Sequence, residues 1–235
     1  MSYLWAVASH QGRLRPVNQD SVHPSTAGRG EGPVVVMVAD GMGGHAAGEV
    51  ASQMAVEHAL AVDGSVEERV LAANSAILEE ATRKPELAGM GTTLTLVELG
   101  DDLVGRLAHV GDSRAYLLRE GRLEQITEDH TVVRQYVASG KITAEEAVGH
   151  PHRSMLTRAL GLTYRLEVDR DDVVFRAGDR LLLCSDGVSG MLSEAEIHEI
   201  LQLGTPEEAV WGLVEAANRA GGHDNITALV VDVEP

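Results

Sequence analysis

The sequence is poor in aromatic residues, in positive charge and in cysteine, and each shortage narrows what the chain can be. Phe, Trp and Tyr make up 3% of the 235 residues, so a core has to be built from Leu, Val, Ala, Ile and Met. Lys plus Arg number 19 against 36 Asp plus Glu, a formal net charge of −17. A field of that sign repels the phosphate backbone of nucleic acids and anionic membrane surfaces, so neither is an expected partner. An anionic substrate would need a local positive centre, made of arginines or of bound cations. The single cysteine, Cys184, excludes an internal disulfide framework and fits a reducing compartment. In "LLLCSDG" it reads as a small buried apolar residue. There is no apolar run of membrane-spanning length and no signal-peptide profile, and the expected location is cytoplasmic.

What is present is ordinary for a globular protein, with 44% hydrophobic and 23% charged residues. There is no internal repeat, low-complexity tract or linker, which predicts one domain over residues 1–235. Runs rich in Val, Leu and Thr predict strands over 4–9, 34–39, 92–99, 102–110, 115–119, 165–169, 180–185 and 226–233. Several neighbours are joined by two to four residues, such as "GD" after Leu99, "GDSR" after Val110 and "EG" after Arg119. Links that short allow hairpins and not parallel crossovers, so the sheets are expected to be mainly antiparallel. Apolar spacing of three and four predicts helices near 47–61, 66–82, 131–139, 193–203 and 206–220, with capping boxes at Ser65/Glu68 and Ser193/Glu196. Helices in pairs between antiparallel strands predict an α+β fold with helical layers on both sides of the sheets. The least regular stretch, about 128–164, reads as a mobile insertion with short helices.

The chemistry begins at "VVMVADGMGGHAAGE", where an apolar strand ends in Asp40 at the mouth of a glycine-rich loop. "LLLCSDG" repeats the design with Asp186 and Gly187. One Asp-Gly after a strand is usually a turn, because Asp bonds its own backbone and Gly supplies positive φ. However, Asp20 in "RPVNQDS", Asp112 in the expected hairpin turn "VGDSRAY" and Asp224 in "GGHDNIT" also stand at strand ends. If those ends meet, carboxylates converge without obvious cationic partners, an arrangement tolerated around divalent cations. Oxygen ligands favour Mg²⁺ or Mn²⁺ over Zn²⁺. A rival reading takes "GMGGHA" as a dinucleotide fingerprint with Asp63 as its acid. Against it, the downstream links are hairpins, and Asp40 would face a pyrophosphate. A P-loop fails because no Lys-Ser/Thr follows the glycines, and a cysteine phosphatase fails because Gly190 stands where an arginine is needed.

"RPVNQDS", "VADGMGGHAAGE", "GMGTTLTL", "HVGDSRAYLL", "LTRALG", "LLLCSDGVSG" and "GGHDNITALVV" together resemble the metal-dependent PP2C-type (PPM) Ser/Thr protein phosphatases, bacterial members especially, over essentially the whole chain. The resemblance implies a four-layer αββα sandwich and hydrolysis of phosphoserine and phosphothreonine by a metal-activated bridging water at a binuclear Mn²⁺ or Mg²⁺ centre. It implies that Asp40 bridges two metals and that the main-chain carbonyl of Gly41 ligates the second. Asp186 and Asp224 complete the first metal's ligands, and Asp20 acts on the second metal's hydration shell. Asp112, with Asp186, resembles a weaker third-metal site, and Arg15 corresponds to the phosphate-binding arginine. Gln19 stands where eukaryotic members carry Glu, and Met42 where they carry a His proposed as general acid. His45 is a candidate replacement, although a His at a helix start ordinarily reads as a solvated side chain, and a metal-bound water is the alternative. The implied partners are phosphoproteins, including a Ser/Thr kinase and its targets, and the implied state is a monomer. A non-catalytic binding module on the same fold is the rival of another class.

Overall fold

The computed structural model describes residues 2–43 and 47–235. Its strands are β1 (Ser2–His10), β2 (Asp20–His23), β3 (Gly28–Glu31), β4 (Val34–Met42), β5 (Gly91–Thr92), β6 (Leu94–Leu99), β7 (Val104–Val110), β8 (Arg114–Arg119), β9 (Arg122–Gln125), β10 (Asp169–Val174), β11 (Arg180–Cys184) and β12 (Ile226–Glu234). The helices are α1 (Ala47–Ala61), α2 (Val66–Arg83), α3 (Val132–Ala138), α4 (Ala144–Val148), α5 (Asp186–Ser189), α6 (Glu194–Leu201) and α7 (Pro206–Arg219). The strands form two sheets, ordered β3-β1-β12-β11-β8-β9 and β10-β7-β6-β4-β2, with β5 paired to β4. Every named strand pair is antiparallel, as the short links predict.

Period-two alternation builds the layers, because successive side chains of a strand point to opposite faces. In β12, Leu229, Val231 and Val233 enter the core between the sheets, while Ala228 and Val230 face α6 and α7. In β4, Val36 and Val38 face the other sheet, while Met37 and Ala39 pack under α1 and α2. The result is the expected four-layer αββα order. Ala47, Ala51, Ala55 and Ala59 line the buried side of α1. Their small side chains let this helix lie close on the sheet. The expected capping boxes close α2 and α6, and two more, Thr143/Glu146 and Thr205/Glu208, start α4 and α7. Cys184 is buried, as its sequence context implies. Among the described residues no helix is long and apolar enough to cross a membrane.

Two local expectations are corrected. Residues 165–168 are not a strand: Leu166 and Val168 pack against the helix-side core, and the ladder with β7 runs over Asp169–Val174. The "GDSR" link is not a hairpin either. β7 belongs to one sheet and β8 to the other, so the link crosses between them. Gly111 makes the crossing with φ of 117°, and a Cβ there would lie 2.5 Å from Thr93. The segment 128–164 carries α3 and α4. An isolated bridge pairs Thr92 with Leu160, and the Asn74 side chain reaches Gly161 and Thr163.

Candidate metal centre

The acids come to the seam between the two sheets, each delivered by a strand end. Asp20 on β2 and Asp40 on β4 stand opposite each other in register. Asp186 follows β11 and opens α5, Asp224 precedes β12, and Asp112 sits in the crossing between β7 and β8. Asp40 feels the charges of the other four, after burial itself. Asp186 faces Asp40 closely enough that a proton on one carboxyl bonds the other. Burial first, and then the neighbouring carboxylates, push Asp20, Asp40, Asp112 and Asp186 above the usual carboxylate range. All five predicted acids therefore share one electrostatic environment.

Positive charge is scarce there. Arg15 Nη2 donates to Asp224 Oδ2 at 2.6 Å, and half of its side-chain surface remains exposed. Arg114 also acts on Asp186 and Asp112, but its guanidinium is held in a fork by Asp129, at 2.8 and 2.7 Å, and by the Tyr116 hydroxyl. Asp20 Oδ1 and Asp186 Oδ1 are buried without a hydrogen-bond partner. Buried, unpaired carboxylate oxygens are costly unless a cation meets them. Clustered oxygen donors suit a hard divalent cation, so the residues present fit Mn²⁺ or Mg²⁺. Among the described residues no group of three Asp, Glu, His or Cys side chains is gathered closely enough to hold a metal ion as it stands. That agrees with like charges holding one another apart, and with Mg²⁺-type sites that use few carboxylates and keep several waters.

The glycines after Asp40 serve the packing more than the open space they suggest. A Cβ on Gly41 would lie 2.0 Å from the Gly48 carbonyl oxygen, and one on Gly48 would lie 2.7 Å from that of Gly41. The two glycines let the first turn of α1 press directly on the end of β4. The Gly41 amide donates to the Gln19 carbonyl at 3.1 Å, tying β4 to the residue before Asp20. Met42 ends β4 with its methyl over Gly91. His45 lies outside the described residues. With every named strand pair antiparallel, the dinucleotide reading of "GMGGHA" loses the parallel βαβ unit that it requires.

Sequence reasoning missed a layer of hydroxyls behind the acids. Ser185 Oγ donates to Asp20 Oδ2 at 2.7 Å and accepts from the Thr227 amide at 3.0 Å, linking an acid of one sheet to the strands of the other. The Asp40 amide donates to Thr93 Oγ1, whose partner is the Ser113 hydroxyl at 2.7 Å. The signal was adjacency: Ser185 and Ser113 are the chain neighbours of Asp186 and Asp112.

Comparison with known proteins agrees with this architecture. The family profile described as Protein phosphatase 2C matches residues 8–207. The serine/threonine protein phosphatase PstP of Mycobacterium tuberculosis is 44% identical over 97% of this chain, and the chain spans 45% of that relative's length. The serine/threonine phosphatase stp of Listeria innocua is 39% identical over 94% of this chain and 92% of its own. A crystal structure of the M. tuberculosis phosphatase PstP/Ppp superposes with a TM-score of 0.91 at 43% identity, covering 100% of both chains. The catalytic domain of PstP in complex with two manganese ions gives 0.88 at 42% identity, again covering 100% of both chains.

Proposed function

This chain belongs to the protein phosphatase 2C family, and from that premise we propose that it is a metal-dependent phosphatase of phosphoserine and phosphothreonine in proteins. The observation that carries the reading is the meeting of five aspartates at one seam, with two buried carboxylate oxygens unpaired and one half-exposed arginine at the rim. Asp40, the Gly41 carbonyl, Asp186 and Asp224 would hold two Mn²⁺ or Mg²⁺ ions, Asp20 would act through the second ion's waters, and Asp112 with Asp186 would serve a weaker third. When bound, such a pair neutralises a phosphate's charge and activates a water for in-line attack.

The chain's own residues do the rest. Arg15 presents a planar fork that takes two phosphate oxygens, which a lysine ammonium cannot reproduce. Its present partner, Asp224, raises its pKa further, so it stays charged at any working pH. Ser185 keeps one oxygen of Asp20 occupied, and the other is buried without a partner, free to meet a cation or its water. The packing of Gly41 on Gly48 fixes the main chain after Asp40 and thereby the direction of its carbonyl.

Residues 1–235 would act as one catalytic domain, with 128–164 as a flap. The remaining parts of the reading are a cytoplasmic monomer, phosphoprotein substrates and an opposing Ser/Thr kinase. Release of phosphate from a phosphothreonine peptide tests the activity: turnover with Mn²⁺ that stops in EDTA is expected. Turnover indifferent to EDTA would overturn the metal mechanism, and a folded, Mn²⁺-loaded protein without turnover would favour the binding-module rival.

A further inference from the structure

The loop from Gln11 to Gln19 joins β1 to β2 without helix or strand, and Arg13 through Val17 are exposed. It carries Arg15, yet neither a ladder nor core packing gives it a shape. Leu14 and Val17 point to solvent, with 68% and 40% of their surface exposed. Asn225 supplies the missing constraint. This side chain is buried, and its three hydrogen bonds all go to that loop. Oδ1 accepts from the Gln19 amide at 2.8 Å, while Nδ2 donates to the carbonyls of Gln11 and Val17, each at 2.9 Å. The three contacts grip the loop at its start and at two points near its end, on either side of Arg15. Other ties hold its two ends, from the Arg13 amide to the Gly222 carbonyl at 2.7 Å, from Asn18 Nδ2 to Ser9 Oγ at 2.8 Å, and to the Gln19 carbonyl from the Gly41 amide and the Ser52 hydroxyl; the bond to Val17 is the one nearest Arg15 on its C-terminal side.

We propose that Asn225 is a positioning residue for Arg15: it clamps the loop so that the guanidinium is held over the acids independently of its bond to Asp224. The independence matters, because Asp224 has two claimants. In the reading above, on which this inference rests, Asp224 also ligates a metal, and a guanidinium steered by that carboxylate alone would lose its guide whenever a cation took it. The amide is specific to the task. One acceptor and two donors on a short planar group match an N–H and two carbonyls, whereas Asp has no donor and Leu has neither function. Asn225 touches no reacting atom, so its effect must travel through the loop.

Two measurements test the clamp, each on Asn225→Ala and on the isosteric Asn225→Asp, which keeps the acceptor and loses both donors. In hydrogen–deuterium exchange, amides of 11–19 should exchange at least tenfold faster in both variants, while β11 and β12 keep wild-type protection. Unchanged exchange in the loop, or protection lost along the whole chain in both variants, overturns the proposal. In steady-state kinetics with a phosphothreonine peptide and saturating Mn²⁺, KM should rise about tenfold with kcat little changed. Added to Arg15→Ala, Asn225→Ala should then lower kcat/KM by less than about twofold, because the group being positioned is gone. Effects that multiply in the double variant overturn it as well. The exchange arm needs no turnover. A wild-type protein without phosphatase activity would remove the reading of Arg15 as a phosphate ligand, and the exchange rates would still decide whether Asn225 clamps the loop.

Discussion

Replacing Asp186 by Asn should move the melting temperature in opposite directions with and without metal. The carboxylate stands among like charges: burial and then Asp224 push its pKa up, and its Oδ1 is buried without a partner. An amide of the same shape carries no charge to repel, and its NH₂ can donate to Asp40, which faces it. One pKa unit corresponds to about 1.4 kcal/mol, so relief of that order is expected in a metal-free sample. For a domain of this size, that is a rise of roughly 2 to 5 °C. With Mn²⁺ at about 100 times its dissociation constant the wild type gains about 2.7 kcal/mol per site, which is roughly 5 to 10 °C. The variant, lacking a ligand, should gain little of this. Differential scanning calorimetry of both proteins in EDTA and in Mn²⁺ reads all four temperatures. A variant that melts below the wild type in EDTA and keeps the full Mn²⁺ shift would refute the reasoning, because Asp186 would then be a structural acid and no ligand.

Arg15→Ala should lower kcat/KM by roughly 10- to 150-fold, since a hydrogen bond to a charged group is worth about 1.5 to 3 kcal/mol. The lower half of that range is expected for a side chain 50% exposed, and wild-type kinetics would remove Arg15 from the site. Asp112→Asn should leave two metals bound and reduce kcat; loss of all bound metal in titration calorimetry would refute its separate role. Away from the acids, His109 is buried and neutral, with Nε2–H donating to the Glu128 carbonyl at 3.1 Å and Nδ1 accepting from the Thr95 hydroxyl at 2.9 Å. Burial lowers its pKa from 6.5 to about 4. The unfolded chain therefore takes up the proton first, and stability is lost as pH falls from 6.5 towards 4, by about 2 kcal/mol between roughly pH 7.5 and 5. At saturating Mn²⁺, urea unfolding of His109→Gln should lack this loss; equal losses in the two proteins would show that His109 is not its source.

The order of elements was legible where a side-chain period has one meaning. β4, β11 and β12 are apolar on both faces because each lies between a helical layer and the other sheet. β10 was misplaced for the opposite reason. "DRDDVV" is the end strand of its sheet, with residues 169–172 exposed, and a charged edge leaves no apolar alternation to read. "RLEVD" mimics a strand because Leu166 and Val168 still find the core from a segment outside any strand. Nor can a short link reveal which sheet its second strand joins. The crossing at Gly111 depends on a contact with Thr93, set by folding and not by the turn's own sequence.

The site divides along the same line. Each acid was legible from its own few neighbours, an apolar run followed by Asp and a glycine or a turn, because delivering a carboxylate at a strand end is a local act. What holds the acids in relation to one another is not local. Ser185 reaches Asp20 across 165 positions, and Asn225 reaches Gln19 across 206. No period connects such residues; the pairing of β1 and β11 with β12, and the stacking of that sheet on the one that holds β2, do. The same pairing explains why so many acids are tolerated at one seam. Each stands on or beside a ladder strand, so repulsion can part the side chains but cannot carry their backbones away without breaking a sheet. Arg114 acts on Asp186 and Asp112 only at a distance, because its guanidinium is bonded into its fork with Asp129. A fold that holds a partly buried arginine beside the acids and not on them leaves Arg15 on Asp224 as their one ion pair among the described residues, and a cation arriving there meets the oxygens of Asp20 and Asp186 that no side chain bonds.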